Sequence, residues 1–411
     1  MHNLSTSPTP APQTGIAALV AGFCALIIAM GIGRFAYTVI LPDMMRIYAF
    51  DEAVAGMMAG GNYVGYLAGA LVMRSEKPGM RRYVLLAFWL VLSVLTTGGM
   101  GLTHDERFWH LLRFFSGVAS GGVFVLASAI VFDALAATGR MALSGFLYSG
   151  CGMGIALGGI FAPLFINCFG PDGAWLGVAL LCIPLAIFAG VYLHPSRVPS
   201  LPIHNTAPAL ACTTHNTPTV DNALRVAFML LLVPYFLEGF GYSIGTTFLV
   251  TVVRITTESP ALAGASWVIT GLAAALTTPL WRLAAVRGGY APMLALAFAL
   301  QGLGMLLPVF FSSAAAGLGS GLLLGATFLG ITVLSLQYGV SLSNKPSAHT
   351  IAMMTVIYGI GQIIGPFVAG FTAQGSGAFG FSFAVSAASL FLALPFLWLG
   401  HAKKKTHNTP Q

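Results

Sequence analysis

Three ionisable side chains, Arg34, Arg113 and Glu238, stand deep inside long apolar runs. An ionisable group in a stretch that could cross a bilayer is costly, so each is a functional candidate by default. A guanidinium stays charged and offers five donors, which suits an anionic solute or a buried carboxylate. A carboxyl in a low dielectric holds or releases a proton as its surroundings change. Arg34 is therefore read as a solute contact, and Glu238 and Arg34 as a proton-coupling pair that forms in one state only. The plainer alternative is a permanent ion pair that locks the chain together. Other polar side chains in the apolar runs could line a cavity. They are Tyr37, Asn62, Tyr63 and Tyr66 early in the chain, and Tyr242, Gln337, Tyr338, Tyr358 and Gln362 later. Of these, Tyr37, Asn62, Tyr242, Gln337 and Gln362 are the expected substrate contacts beside Arg34. For any single Asn or Gln the alternative is an interhelical hydrogen bond, worth about 0.6–2 kcal/mol.

Other chemistry is poorly supplied. The sequence holds no HExxH, no GxSxG in a strand-to-helix elbow and no GxxxxGKS/T loop, so neither an enzyme nor direct ATP drive is expected. The five cysteines form no CxxC pair, and no metal or other cofactor is expected. A net charge of +7 could suggest nucleic acid, but the basic residues sit in short gaps between apolar runs, so no nucleic-acid partner is expected.

These side chains must be positioned by helices in lipid. Of the 411 residues, 57% are hydrophobic and 7% charged, far below the roughly 25% charged residues of soluble domains. A surface with so few charges faces lipid, where only structures that satisfy their own backbone survive. About 20 apolar residues span a bilayer core. Twelve such runs are found, near 15–41, 52–73, 83–103, 108–132, 143–168, 173–193, 224–252, 260–282, 291–311, 315–341, 349–373 and 378–400. The expected organisation is a disordered tail at 1–14, a six-helix bundle at 15–193, a linker at 194–222, a second bundle at 223–400 and a basic tail at 401–411. With both termini in the cytoplasm, thirteen Lys and Arg fall inside and only Arg46, Arg107 and Arg254 fall in outer loops. That asymmetry supports an even number of crossings.

The linker separates two similar halves. Gly31-Ile-Gly-Arg-Phe-Ala-Tyr-Thr38 and Gly239-Phe-Gly-Tyr-Ser-Ile-Gly-Thr246 both read GxGxxxxT, offset by 239 − 31 = 208. Gly152 to Gly158 and Gly359 to Gly365 both read GxGxxxG, offset by 359 − 152 = 207. Two echoes at nearly one offset indicate a duplicated unit, and parallel repeats of this kind place a site between halves. Neither string follows a strand, so the nucleotide-loop reading is weak. Small residues at this spacing let helix backbones approach closely. Gly31, Gly33, Gly154, Gly158, Gly361, Gly365 and Pro366 are expected to serve packing and gating.

On these residues the chain resembles the major facilitator superfamily (MFS). Arg113 with Gly117 and Gly121 resembles its RxxxGxxxG motif. Gly69 to Arg82 holds the place of its loop signature, with the basic cluster but without the GxxxD opening. The Gly31–Thr38 and Gly359–Pro366 strings resemble the YbfB/YjiJ-type branch. The resemblance implies an all-α polytopic inner-membrane transporter, with twelve transmembrane helices in two parallel six-helix repeats. It also implies a proton-coupling role for Arg113. The run 143–168 is similar to the antiporter signature, though Ile155 replaces its proline, whereas Pro366 keeps the proline in the run 349–373. The implied partners are a small solute, protons and the lipid bilayer, with the chain expected to act as a monomer. Drug or metabolite export by antiport and organic-anion uptake by symport both remain open, as does a sensor that has lost transport. Reporter fusions within 194–222 are expected to mark that linker as cytoplasmic. An external location would overturn the twelve-span reading.

Overall fold

The structure is a computed structural model that describes residues 13–73, 79–197, 222–343, 347–374 and 379–408. Most of the expected N-terminal tail and interhalf linker, with Cys212, Arg74, Lys77 and Lys345, lies outside the described residues. The described residues are helices joined by short connections, with no strand among them. In chain order the helices are α1 (Gln13–Leu26), α2 (Gly33–Tyr48), α3 (Glu52–Met73), α4 (Met80–Gly99), α5 (Glu106–Ala137) and α6 (Gly145–Tyr192). They continue as α7 (Asn222–Thr257), α8 (Pro260–Gly288), α9 (Tyr290–Phe310), α10 (Ala314–Leu342), α11 (Ser347–Ala373) and α12 (Gly380–Asn408). A π-helical turn over Ile27–Ile32 joins α1 to α2 without a break, so the two form one rod.

Among the described residues, ten helical stretches are long and apolar enough to cross a membrane. Gly15–Tyr48 is one of them and Gly145–Tyr192 is another. The second stretch is 48 residues long and bends at Gly170 (φ 71°, ψ −175°). Only glycine adopts that conformation without penalty, and the following Pro171 favours a boundary there. The break separates the expected runs 143–168 and 173–193. The expected run 52–73 is α3, but its glycines and Asn62 dilute its hydropathy and it is not among the ten. The expected 401–411 tail is helical to Asn408.

Helix ends carry local signals. Asp105 caps α5 by accepting from the Arg107 amide at 2.9 Å. Ser259 caps α8, with Pro260 at its first position, and Ser313 caps α10. Each cap satisfies an amide left orphaned by the first turn. Arg46, Arg107 and Arg254, expected in loops, lie in first or last turns of helices.

Glycine governs the packing. In α5, Gly117 and Gly121 are one turn apart, and a Cβ on either would land on the α3 backbone at Asn62 and Tyr66. Gly65 and Gly69 of α3 reciprocate against Phe114 and Val118. Gly31 of the π-helical turn and Gly154 of α6 set the approach of those two segments in the same way. Helices α1–α6 pack mainly on one another, as do α7–α12, and the two sets meet chiefly where α2 lies on α7, α3 on α11 and α6 on α8. At these seams Gly56 meets Pro366 and Gly370, while Gly152 meets Gly271 and Ala275. Polar bonds also cross: Thr38 donates to the Thr246 carbonyl at 2.6 Å, and Ser149 to the Ala275 carbonyl at 2.8 Å. At one end Arg254 stands 3.8 Å from Asp43, and Gln374 donates to Asp51 at 2.7 Å.

Glycines expected to pack are not equivalent. A Cβ at Gly154 would fall 2.6 Å from the Gly31 Cα, whereas one at Gly158 would meet only the Ala36 Cα at 3.9 Å. Gly154→Ala is expected to destabilise the protein by about 1–3 kcal/mol through overpacking. Gly158→Ala is expected to be neutral. Thermal unfolding in detergent checks both.

Candidate functional site

Arg34 leaves α2 just after the π-helical turn and is buried at 4% exposure. Its guanidinium lies over the rings of Tyr66 at 4.4 Å, Tyr63 at 4.5 Å and Phe35 at 5.2 Å. Tyr242 and Tyr358, from the second helix set, also stand close to it. No carboxylate pairs with it among the described residues, and its Nε and Nη2 have no hydrogen-bond partner. A desolvated guanidinium over tyrosine faces is stabilised by about 2 kcal/mol or more, but these two nitrogens still lack acceptors. Beside it lies an internal space of about 10 Å³, room for a single water, lined by Arg34, Tyr37, Asn62, Tyr63, Arg113 and Thr246 among others.

Arg113 is also buried, and it is used differently. Its Nη1 donates to the Gly33 carbonyl at 3.1 Å and its Nη2 to the Arg34 carbonyl at 3.0 Å. The Tyr37 ring lies under it at 4.5 Å. Ser116 adds a bond to Gly33 at 2.9 Å, and Asn62 donates to the Arg113 carbonyl at 2.8 Å. Arg113 therefore clamps the backbone that carries Arg34. Tyr37 donates to the Ala55 carbonyl at 2.9 Å. Asn62 and Tyr37 border the internal space, yet their donors are already engaged in holding α2, α3 and α5 together.

Glu238 is fully buried in α7, but it does not meet Arg34. Its carboxylate oxygens accept from Gln301 Nε2 of α9 at 3.1 and 3.2 Å, and Gln301 Oε1 accepts from Thr327 of α10 at 2.9 Å. The expected Arg34–Glu238 pair is thus not formed in this structure, because Glu238 points into the second helix set. Tyr242, one turn further along α7, is the residue that turns towards Arg34 and Tyr63. Tyr242 stacks on Phe328 at 5.2 Å and on Tyr358 at 5.9 Å, and its hydroxyl accepts from Gln362 at 3.3 Å. Gln337 in α10 is only half-buried and does not border the space beside Arg34.

A family profile described as "Uncharacterised MFS-type transporter YbfB" matches residues 26–397, nearly the whole chain and all of this site. The chain belongs to that family of MFS transporters. A benzoate transport protein of Acinetobacter baylyi is 28% identical over 149 residues, 34% of this chain and 32% of that protein, so the match spans about a third of the relative's length. Among solved structures, the POT family transporter PepTSo gives a TM-score of 0.70 at 12% identity, covering 97% of this chain and 99% of that one. The nucleoside transporter NupG gives 0.64 at 13% identity, covering 97% and 100%. At these identities the likeness is one of fold.

For this MFS transporter, Gln301, Thr327 and the Thr38–Thr246 contact are the site features that sequence reasoning missed. Gln301 could have been found as the lone amide in the apolar run 291–311. The threonines were visible as the last residues of the two GxGxxxxT strings, 246 − 38 = 208 apart. Replacing Arg113 by Lys is expected to lower stability by about 1.5–3 kcal/mol, since one ammonium cannot hold two carbonyls and lie flat on Tyr37. Thermal unfolding of the purified protein measures the loss.

Proposed function

We propose that the chain is a secondary transporter that moves a small organic anion together with protons by alternating access. The observation that carries this reading is Arg34, a guanidinium buried between the two helix sets with no carboxylate partner among the described residues and with two nitrogens unpaired. Arg113, which also has an unpaired Nε, spends both terminal nitrogens on backbone carbonyls. Arg34 keeps Nη2 as well as Nε unpaired, which suits a group that receives an anionic ligand. The benzoate transport protein among the relatives is in keeping with a carboxylate cargo.

In this reading there are twelve crossings in two parallel sets of six, with the Gly145–Tyr192 stretch counted as two and α3 included. Both termini face the cytoplasm, and the membrane is the inner one. The end carrying Asp43, Asp51, Arg254 and Gln374 is then the outer end. It is closed here by the Asp43–Arg254 and Asp51–Gln374 contacts and by the Thr38–Thr246 bond. The space beside Arg34 is too small for a solute, so loading requires the helix sets to part. Each seam must therefore break and re-form during a cycle. Small residues on both faces make that cheap, because few interlocked side chains need to be withdrawn.

Glu238 is the proposed proton carrier. It is a fully buried carboxyl with an amide beside it and, among the described residues, no cation, so its charge is offset there only by hydrogen bonds. Protonation removes that cost, and a proton taken up at Glu238 offsets the charge of an incoming anion. Tyr242 sits one turn from Glu238 on α7 and faces Arg34, which gives the two sites a common rigid element.

In proteoliposomes loaded at neutral pH, uptake of a radiolabelled carboxylate such as benzoate is expected to rise as the external pH falls. Glu238→Gln, which keeps shape and an acceptor for Gln301, is expected to make uptake insensitive to the pH gradient while preserving Arg34-dependent binding. Unchanged pH dependence in Glu238→Gln overturns the proton assignment. Solute efflux driven by an inward proton gradient would instead establish antiport.

A further inference from the structure

We infer that Tyr63 is a latch that makes opening of the boundary depend on solute at Arg34, joining the guanidinium to the second helix set while the site is empty. The inference rests on the organic-anion reading of Arg34 and asks how an arriving anion releases the helix sets.

The space beside Arg34 is about 10 Å³, so its lining must move before a solute reaches Nε and Nη2. Most of the polar lining is tied within its own helix set. Arg113 donates to the Gly33 and Arg34 carbonyls, Asn62 to the Arg113 carbonyl, and Tyr37 to the Ala55 carbonyl. Thr247 donates to the Ser243 carbonyl of its own helix. Thr38 and Tyr63 instead reach across the boundary, and both do so at Thr246 of α7. Thr38 donates to the Thr246 carbonyl at 2.6 Å, and the Tyr63 hydroxyl shares a hydrogen bond with the Thr246 hydroxyl at 3.2 Å. Of these two, Tyr63 is the one that lies against the guanidinium, at 4.5 Å. Phe35 also lies against Arg34 and meets Trp267 of α8 edge to face at 6.1 Å, but that contact holds no hydrogen bond to break. Tyr66, the third ring against Arg34, packs on Phe124 of its own set.

Both ends of the latch sit on firmly packed backbone. Gly65 and Gly69 bring α3 onto the α5 backbone at Phe114 and Val118, so Tyr63 travels with the first helix set. Gly245, beside Thr246, packs on Met305 of α9 and Leu324 of α10, so Thr246 travels with the second. A parting of the sets therefore breaks the Tyr63–Thr246 bond, whichever hydroxyl donates. The ring end is held by the cation over its face, an attraction that depends on the charge of that cation. A carboxylate that pairs with Arg34 offsets the charge and loosens the ring. Tyr63 is then held by its hydroxyl alone, and the boundary parts more readily. Such coupling is reciprocal, so a boundary that parts more readily also takes up the anion more tightly.

The test is isothermal titration of the purified full chain at one pH with acetate, lactate and benzoate. Tyr63→Phe keeps the ring against Arg34 and deletes the bond. Removing a bond made only in the closed form raises the fraction of molecules able to receive solute. The carboxylate that binds the wild type most tightly is therefore expected to bind Tyr63→Phe about two- to tenfold more tightly. Thr246→Val removes the same bond from the other side and keeps the carbonyl that Thr38 uses. It is expected to show a similar gain, and the double variant to gain no more than either alone. A side chain that only supports the fold would lose affinity on substitution or leave it unchanged. Unchanged affinity in Tyr63→Phe, or gains that add in the double variant, overturns the inference. Weaker binding in Tyr63→Phe also overturns it and makes the hydroxyl a solute contact. Thr246→Val decides the matter if Tyr63→Phe does not fold. Any of these failures, with binding that still weakens in Arg34→Gln, removes only the latch and leaves the anion reading standing. No binding by any of the three carboxylates, or full binding in Arg34→Gln, removes the anion reading and the latch with it.

Discussion

Burying a guanidinium costs several kcal/mol unless an opposite charge or a full set of acceptors accompanies it. Arg34 has neither. What offsets the cost in this structure is the faces of Tyr63 and Tyr66 and the nearby Tyr242 and Tyr358. Much of the surrounding architecture follows from holding this one group in place. Arg113 and Ser116 fix the carbonyls of Gly33 and Arg34. Asn62 ties α3, which supplies the tyrosines, to α5. The glycines at 65, 69, 117 and 121 bring those two helices close enough for the ties to form. A second buried arginine is tolerable beside the first because its charge is directed at backbone carbonyls rather than at the internal space.

The helical, membrane-spanning character of the chain and the identity of the buried charges were legible from sequence because each rests on a single helix and its solvent. Long apolar runs broken by Gly, Pro and basic residues translate directly into helices in lipid. The RxxxGxxxG glycines were likewise readable, since a spacing of four puts them on one face. Gly170 was foreseen only as a gap between runs, because its hydropathy says nothing of φ.

What was not legible was direction around the helix axis. A position along a helix leaves the azimuth free. Under the 208-residue offset Arg34 corresponds to Tyr242 and Thr38 to Thr246, and it is these equivalent positions that meet across the boundary. Glu238 corresponds to Met30, which is buried in the first helix set. Applying the offset to Arg34 itself, rather than to the glycine string beside Glu238, would have pointed to Tyr242. The partners of Glu238 were harder to find. Gln301 and Thr327 come from two other helices, and no local pattern links the three.

The separation of Glu238 from Arg34 bears on how coupling could work. If carboxylate and guanidinium were paired, anion and proton would compete for the same two groups, and coupling would be direct. Here the groups occupy different neighbourhoods, one inside the second helix set and one at the boundary, joined by α7. Glu238 and Tyr242 lie on the same turn-to-turn line of that helix, and Tyr242 is packed between Phe328 and Tyr358. In the proposed cycle a change of charge at Glu238 would alter its hold on Gln301, and through it the fit of α9 and α10 against α7. A resulting rotation or shift of α7 would be read at the boundary by Tyr242 against Arg34 and by Thr246 against Thr38. Coupling in such an arrangement belongs to the position of a helix with two discrete packings, to which both sites contribute differential contacts.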